Sequence, residues 1–259
     1  MATRRDREDS KRFPDDVIVE EPLEIRLDGH AVATTMRTPG NDFELAVGFC
    51  LAEGLLSDNA VESIRYCATG TAMDTNFNVV TVETERPAAN PPIARLGLTT
   101  AACGICGAES IDALCARLVP LAGAVVPTPE VARAVDEAVR AQQALFAKTG
   151  AVHGAASFEL ATGEVGVVRE DIGRHNAVDK VVGRLYLDHG LPAEGRGLFV
   201  SGRASFEMVQ KAWAAGFTAL LAVGGPSSLA VETALVANLV LAAFVRGDSC
   251  TVYSPEQGA

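Results

Sequence analysis

The sequence predicts an α/β protein: a small N-terminal α+β unit followed by a larger α/β domain. Three observations predict it. From residue 128 onward, short apolar strand-like runs alternate with helical runs, which implies a partly parallel sheet covered on both faces. The first third of the chain carries an Asp28-Gly29 hairpin signal and a single helix-periodic run. Between the two lies a Pro-rich connector with Pro87, Pro91 and Pro92. The 259 residues, 48% of them hydrophobic, are enough for one large domain or two modest ones.

Taken in order, residues 1–16 are dense in charge (Arg4, Arg5, Asp6, Arg7, Glu8, Asp9, Lys11, Arg12) and read as a charged flexible tail. The α+β unit is expected over 17–84. It starts with two strands turned at Asp28-Gly29, because Asp-Gly tolerates the positive φ angles of tight hairpin turns. Asn41 and Asp42 then stand where they can cap a helix of Phe43, Leu45, Ala46, Phe49 and Cys50, ending near Gly54. Strands follow at 61–67 and 76–84. Residues 85–107 form the connector, and 108–259 the larger domain. That domain is expected to hold helices at 108–119, 129–147, 174–188, 205–215 and 226–237. Its strands are expected at 152–160, 164–169, 197–201, 218–223, 239–245 and 250–253.

Composition excludes some functions. The net charge of -11 argues against nucleic acid, whose phosphates need a basic surface. No run of 18 apolar residues occurs, and the charged N-terminus has no apolar stretch behind it, so no membrane span and a cytoplasmic location are expected. The six cysteines are few and irregularly spaced, as in a chain whose thiols stay reduced. Cys50 and Cys115 fall on apolar helix faces and Cys67 and Cys250 in strands, which suits core packing.

The densest chemistry is Cys103-Gly104-Ile105-Cys106-Gly107. C-x-x-C spacing and a following helix N-terminus favour a thiolate, the form that attacks sulfur and binds metal. The run suits sulfur transfer or redox use, half of a zinc site, or incidental thiols. Zinc needs four ligands, and no second C-x-x-C or C-x-x-H is present. A thioredoxin-like pair would follow a strand, not a Pro-rich connector.

Three strand-to-helix junctions share one design. They are Glu170-Asp171-Ile172-Gly173-Arg174-His175-Asn176, Ser201-Gly202-Arg203-Ala204-Ser205 and Gly224-Gly225-Pro226-Ser227-Ser228. Each joins glycine to hydroxyl, amide or cationic side chains at a helix start, where free N–H groups bind anions. Each taken alone also fits an ordinary capped helix. Together, at the carboxyl ends of sheet strands, they predict a ligand site. Asp171 stands where it can orient His175, and His153 reads as a structural strand histidine. Neither a G-x-S-x-G elbow nor a G-x-x-x-x-G-K-[ST] loop is present.

Five blocks, in order, resemble the formate dehydrogenase accessory sulfurtransferase family, the FdhD type. They are Arg37–Ala46, Cys103–Gly107, Glu170–Lys180, Ser201–Lys211 and Phe244–Gly247, spread over residues 18 to 254. The resemblance implies a sulfurtransferase that is a homodimer, with a C-terminal domain of cytidine-deaminase-like, three-layer α/β/α fold. It implies sulfur accepted from a cysteine desulfurase as a persulfide on Cys103, with Cys106 as an assisting thiol. The sulfur would pass to the Mo or W of bis-molybdopterin guanine dinucleotide, a bound substrate that serves formate dehydrogenase; no intrinsic metal is expected. The cofactor-binding segment would be Phe244, Val245, Arg246, Gly247, Asp248 and Ser249. Arg174, His175, Ser201, Arg203, Gly225 and Ser227 would line the same site, with Arg174, Arg203 and Arg246 near phosphates and Asp or Ser side chains for guanine. The H-x-E and P-C-x-x-C zinc set of the deaminases is absent from the matching helix starts. Where the family carries an aromatic-Asn pair after Arg246-Gly247, this chain has Cys250-Thr251. The rival expectation is a non-catalytic chaperone that delivers the cofactor; a zinc hydrolase on the same scaffold is a third.

Overall fold

The structure, a computed structural model, describes residues 2–5, 10–56, 59–67, 71–87, 98–99, 118–123 and 125–255. The charged stretch expected as a tail carries a two-stranded antiparallel ribbon, β1 (Ala2–Arg5) with β2 (Ser10–Phe13). A hairpin of β3 (Glu21–Leu27) and β4 (His30–Arg37) follows. It turns at Asp28 and Gly29, both at positive φ, as Asp-Gly allows. Helix α1 (Asp42–Ala52), β5 (Val61–Tyr66), β6 (Val79–Thr84) and the two-residue β7 (Leu98–Thr99) complete a five-stranded sheet in the order β5-β6-β3-β4-β7. β7 falls inside the expected connector. Leu23, Ile25 and Leu27 alternate inward from β3 and pack on Leu45, Ala46 and Cys50 of α1.

Asn41 sits at the N-cap of α1, but in a left-handed conformation with no side-chain cap bond. Its neighbour Asp42 is turned to another use. Both of its carboxylate oxygens accept from the buried Arg37 guanidinium, at 3.0 and 2.9 Å.

The larger unit begins with α2 (Pro129–Gln142) and α3 (Ala144–Thr149), where the sequence predicts one continuous helix over 129–147. The break is tertiary in origin. Gln143 packs its amide against Gly154, and the Glu170 carboxylate accepts from Leu145 N and Phe146 N, giving α3 its own start. Then come β8 (His153–Glu159), β9 (Val165–Asp171), α4 (Arg174–Leu187), β10 (Arg196–Val200), α5 (Phe206–Ala214), β11 (Ala219–Ala222), α6 (Ser228–Ala237), β12 (Val240–Arg246) and β13 (Ser249–Ser254). The helix expected at 108–119 lies almost wholly outside the described residues.

The six-stranded sheet runs β13-β12-β11-β10-β8-β9. β10, β11 and β12 are mutually parallel, and the other pairings are antiparallel. The period of two along each strand sorts its residues to two cores. Leu198, Val200, Leu220 and Leu241 face α4, α5 and α6, while Phe199, Leu221 and Ala242 face Val135 and Val139 of α2. This is the three-layer α/β/α arrangement. No helix among the described residues is long and apolar enough to cross a membrane.

The two sheets are joined chiefly where α1 crosses α4. A Cβ on Gly48 would lie 1.9 Å from the Asp179 carbonyl oxygen, and one on Gly183 would lie 1.8 Å from that of Glu44. The two backbones therefore meet through a pair of glycines. Around the crossing, Lys211 pairs with Asp179 at 2.7 Å, Arg169 pairs with Glu44, and Gln210 donates to the Ala52 carbonyl.

Candidate functional site

The topology brings the three predicted junctions to one edge of the six-stranded sheet. The carboxyl ends of β9, β10, β11 and β12 and the amino end of β8 all lie there, and His153 pairs across to Asp171. Backbone bonds join the second and third junctions: Gly224 N to Gly202 O at 2.8 Å, Ala204 N to Gly225 O at 3.2 Å and Ser227 N to Ala204 O at 3.1 Å. Gly202 lies in van der Waals contact with His153 and Arg174, and a Cβ on Gly224 would sit 2.9 Å from the Arg203 backbone, too close for a larger residue.

The edge is cationic within an acidic protein. Arg174 and Arg203 have no carboxylate within ion-pair distance among the described residues, and burial followed by the Arg203 charge lowers the Arg174 pKa. Among the described residues three buried polar atoms there have no hydrogen-bond partner: Arg174 Nε, His175 Nε2 and Ser205 Oγ. Buried polar atoms without partners, beside two guanidiniums with no carboxylate partner among the described residues, fit an anionic ligand such as a diphosphate.

His175 faces Glu207 of α5 at 3.8 Å, beyond hydrogen-bond length, so the coupling is electrostatic. The facing imidazole holds the Glu207 carboxyl down to about 2 against the opposing effect of burial. Burial pushes His175 below its ordinary value, and burial followed by the Arg174 charge does the same to His153. A histidine lowered by folding takes up its proton more readily when unfolded. Its stabilising contribution is therefore complete above about pH 6.5 and falls as pH drops. The melting temperature is expected to fall between pH 7 and pH 5, and the His153→Asn/His175→Asn double variant to flatten that slope; thermal melts across the range check it.

Several expected site residues do other work. Asp171 is 0% exposed and does not orient His175: it accepts from Gly173 N, Asn176 Nδ2 and Thr38 N and pairs with Lys180 at 2.7 Å. Ser201 Oγ accepts from Gly154 N, tying β10 to β8. Ser227 Oγ accepts from Ala230 N, an ordinary helix cap. Val245 is buried in the core shared with α2. Phe244 is exposed, adopts φ 54°, and lies over Gly225, where a Cβ would sit 2.6 Å from the ring. Arg246, Gly247, Asp248 and Ser249 are exposed around the β12–β13 turn, and Asp248 pairs with Arg133 of α2 at 3.1 Å.

Cys103, Cys106 and Cys115 lie outside the described residues. Of the described cysteines, Cys50 is fully buried with its thiol pushed far up by burial, as in inert core packing, and half-buried Cys250 is also raised. Among the described residues no three His, Cys, Asp or Glu side chains converge to hold a metal ion.

The profile of the FdhD/NarQ family matches residues 18–258. The chain belongs to the FdhD/NarQ family. It is 48% identical over 249 residues to the sulfur carrier protein FdhD of Streptomyces coelicolor, covering 93% of this chain and 88% of that one. It is 44% identical over 254 residues to the sulfur carrier protein FdhD of Mycobacterium tuberculosis, covering 93% and 90%. In fold it is similar to the crystal structure of a formate dehydrogenase accessory protein from Desulfotalea psychrophila. The TM-score is 0.74 at 23% identity, with 98% of this chain and 96% of that one covered. Many residues of the resembling blocks serve the joint between the two sheets: Thr38, Asp171, Lys180, Gln210 and Lys211 all bond within or across it.

The sequence did not single out Glu207 or give His153 a place at the site. His153 opens a strand, and only the antiparallel pairing of β8 with β10 carries it to this edge.

Proposed function

We propose that this chain is a sulfurtransferase. Cys103 takes sulfur from a cysteine desulfurase and passes it to the metal of Mo- or W-bis-molybdopterin guanine dinucleotide bound as substrate, which then serves formate dehydrogenase. The observation that supports it most is the cationic strand-end edge, with buried polar atoms that lack partners among the described residues, in a chain of a family whose curated relatives are sulfur carriers.

The chemistry balances. The Cys103 thiolate attacks the terminal sulfur of the donor persulfide, releasing the donor thiolate and forming a persulfide on Cys103. The terminal sulfur is then handed over when the Cys106 thiolate attacks the Cys103 sulfur. That step leaves a Cys103–Cys106 disulfide and delivers sulfide to the metal, and a cellular dithiol reductant restores both thiols. Arg174 and Arg203 hold the substrate's phosphates; His175 and Glu207 fix the start of α5 beside them.

Chain length is compatible with this. Thr99 of β7 pairs with Thr35, whose hydroxyl donates to Asn176 at the start of α4. Cys103 follows Thr99 by four residues, a contour of at most ~14 Å.

The test is the Arg174→Ala/Arg203→Ala double variant. Loss of two charge-assisted contacts is expected to weaken binding of pyrophosphate and GDP ~100-fold while leaving sulfur loading from the desulfurase unchanged. Formate dehydrogenase matured with the variant should be inactive for want of sulfur. A variant that binds and activates like wild type would refute the site. A wild type that binds nucleotide yet never carries sulfur would favour the delivery chaperone.

A further inference from the structure

His153 opens β8 at the strand-end edge, and charged groups from several elements face its ring. Arg174 and His175 do so from the start of α4, Asp171 from the end of β9, and Arg203 from the loop after β10. Asp136 and Arg140 of α2 line a cavity that His153 shares with them. A Cβ built on Gly202 would lie 3.5 Å from His153 Nδ1 and 3.8 Å from Arg174 Cδ, so the ring and the Arg174 stem flank one glycine.

The ring is held in place but not engaged. His153 pairs across to Asp171 of β9, and the next residue, Gly154, exchanges two bonds with Ser201, donating to its Oγ and accepting from its N, both at 2.9 Å. The His153 side chain is part-buried and, among the described residues, has no hydrogen-bond or ion-pair partner. The two nearby carboxylates are matched by cations of their own: Asp171 by Lys180 at 2.7 Å and Asp136 by Arg140 at 3.4 Å. What the ring meets uncompensated is the charge of Arg174 and Arg203. Burial, followed by the Arg174 charge, lowers its pKa, so the imidazole is neutral near pH 7 in the free protein.

We propose that His153 is a third phosphate-binding residue, neutral in the empty site and protonated when the substrate's diphosphate is bound, so that substrate capture takes up a proton. The inference rests on the reading that substrate phosphates bind at Arg174 and Arg203. A phosphate between the two guanidiniums offsets their repulsion of the ring and offers an oxygen that an imidazolium N–H can bond. The proton comes from solvent on binding and returns to it on release. The empty edge is thereby spared a third unpaired cation, and the occupied edge gains a charge-assisted bond. By linkage, affinity rises as pH falls, between the ring's bound and free pKa values, and is flat outside them.

The test uses diguanosine diphosphate, whose diester phosphates do not titrate near neutral pH, so any pH dependence belongs to the protein. The full chain is titrated calorimetrically between pH 8 and pH 6 in buffers of different ionisation enthalpy, which gives affinity and proton uptake together. Wild type is expected to bind ~10-fold tighter at pH 6 than at pH 8 and to take up ~0.5–1 proton between them. His153→Asn should bind within ~3-fold of wild type at pH 8 and lose both the gain and the uptake. In wild type, the NMR titration midpoint of the His153 ring should rise by about one pH unit on adding ligand, a readout that needs no variant. Wild-type affinity that ignores pH, binding without uptake, an unmoved His153 midpoint, or uptake that survives in His153→Asn would overturn this role and leave the phosphate site standing. A wild type that binds neither diguanosine diphosphate nor pyrophosphate at any pH would overturn both.

Discussion

Cys103→Ser is expected to abolish sulfur transfer outright while nucleotide binding stays within twofold of wild type. A serine hydroxyl is not ionised near neutral pH and forms no persulfide, so no weaker version of the step remains. Activation of formate dehydrogenase should drop by at least ~10³-fold, since in the proposed step the bonds are made and broken at this residue. Cys106→Ser separates the two thiols: it should still load sulfur on Cys103 but release it slowly, accumulating persulfide. Activity assays of the matured dehydrogenase, set beside nucleotide titrations, check both variants. Near-normal activation by Cys103→Ser would mean that sulfur travels by another residue.

The second large effect is structural. Gly48→Ala and Gly183→Ala are each expected to lower the melting temperature by about 10 °C, from ~3 kcal/mol or more of overpacking at ~2–4 °C per kcal/mol. The obstacles at 1.9 and 1.8 Å are backbone carbonyl oxygens of the facing helix, so no rotamer change relieves them and α1 must lift from α4. Separation would also strain the buried pair Lys211–Asp179 and the Thr38–Asp171 bond, whose partners have little water to fall back on. Circular dichroism melts measure the shift. A change of less than 2 °C would show that the crossing is looser than described.

Local signals carried much of the fold. Asp28-Gly29 predicted its hairpin because few other pairs accept two positive φ angles. The alternation of helices and strands after residue 128 predicted the sheet, because buried parallel strands need helical cover. The break of α2 from α3 was not legible, since Gln143 is a good helix residue and the interruption comes from Glu170 and Gly154, distant in sequence. Nor was the ribbon of β1 and β2, whose strands look like solvated charge. The gathering of three glycine-containing helix starts on one edge of the sheet was legible. The roles of individual side chains were not, because whether Ser227 caps its helix or binds a phosphate, or whether Asp171 holds His175 or Lys180, depends on neighbours brought by tertiary packing.

The central claim is that sulfur rides on Cys103. Intact-protein mass spectrometry after incubation with a cysteine desulfurase and cysteine tests it most directly. The account predicts one added sulfur atom on wild type, removed by reductant and missing from Cys103→Ala. No added sulfur on wild type with an active desulfurase, or the same addition on Cys103→Ala, would contradict it.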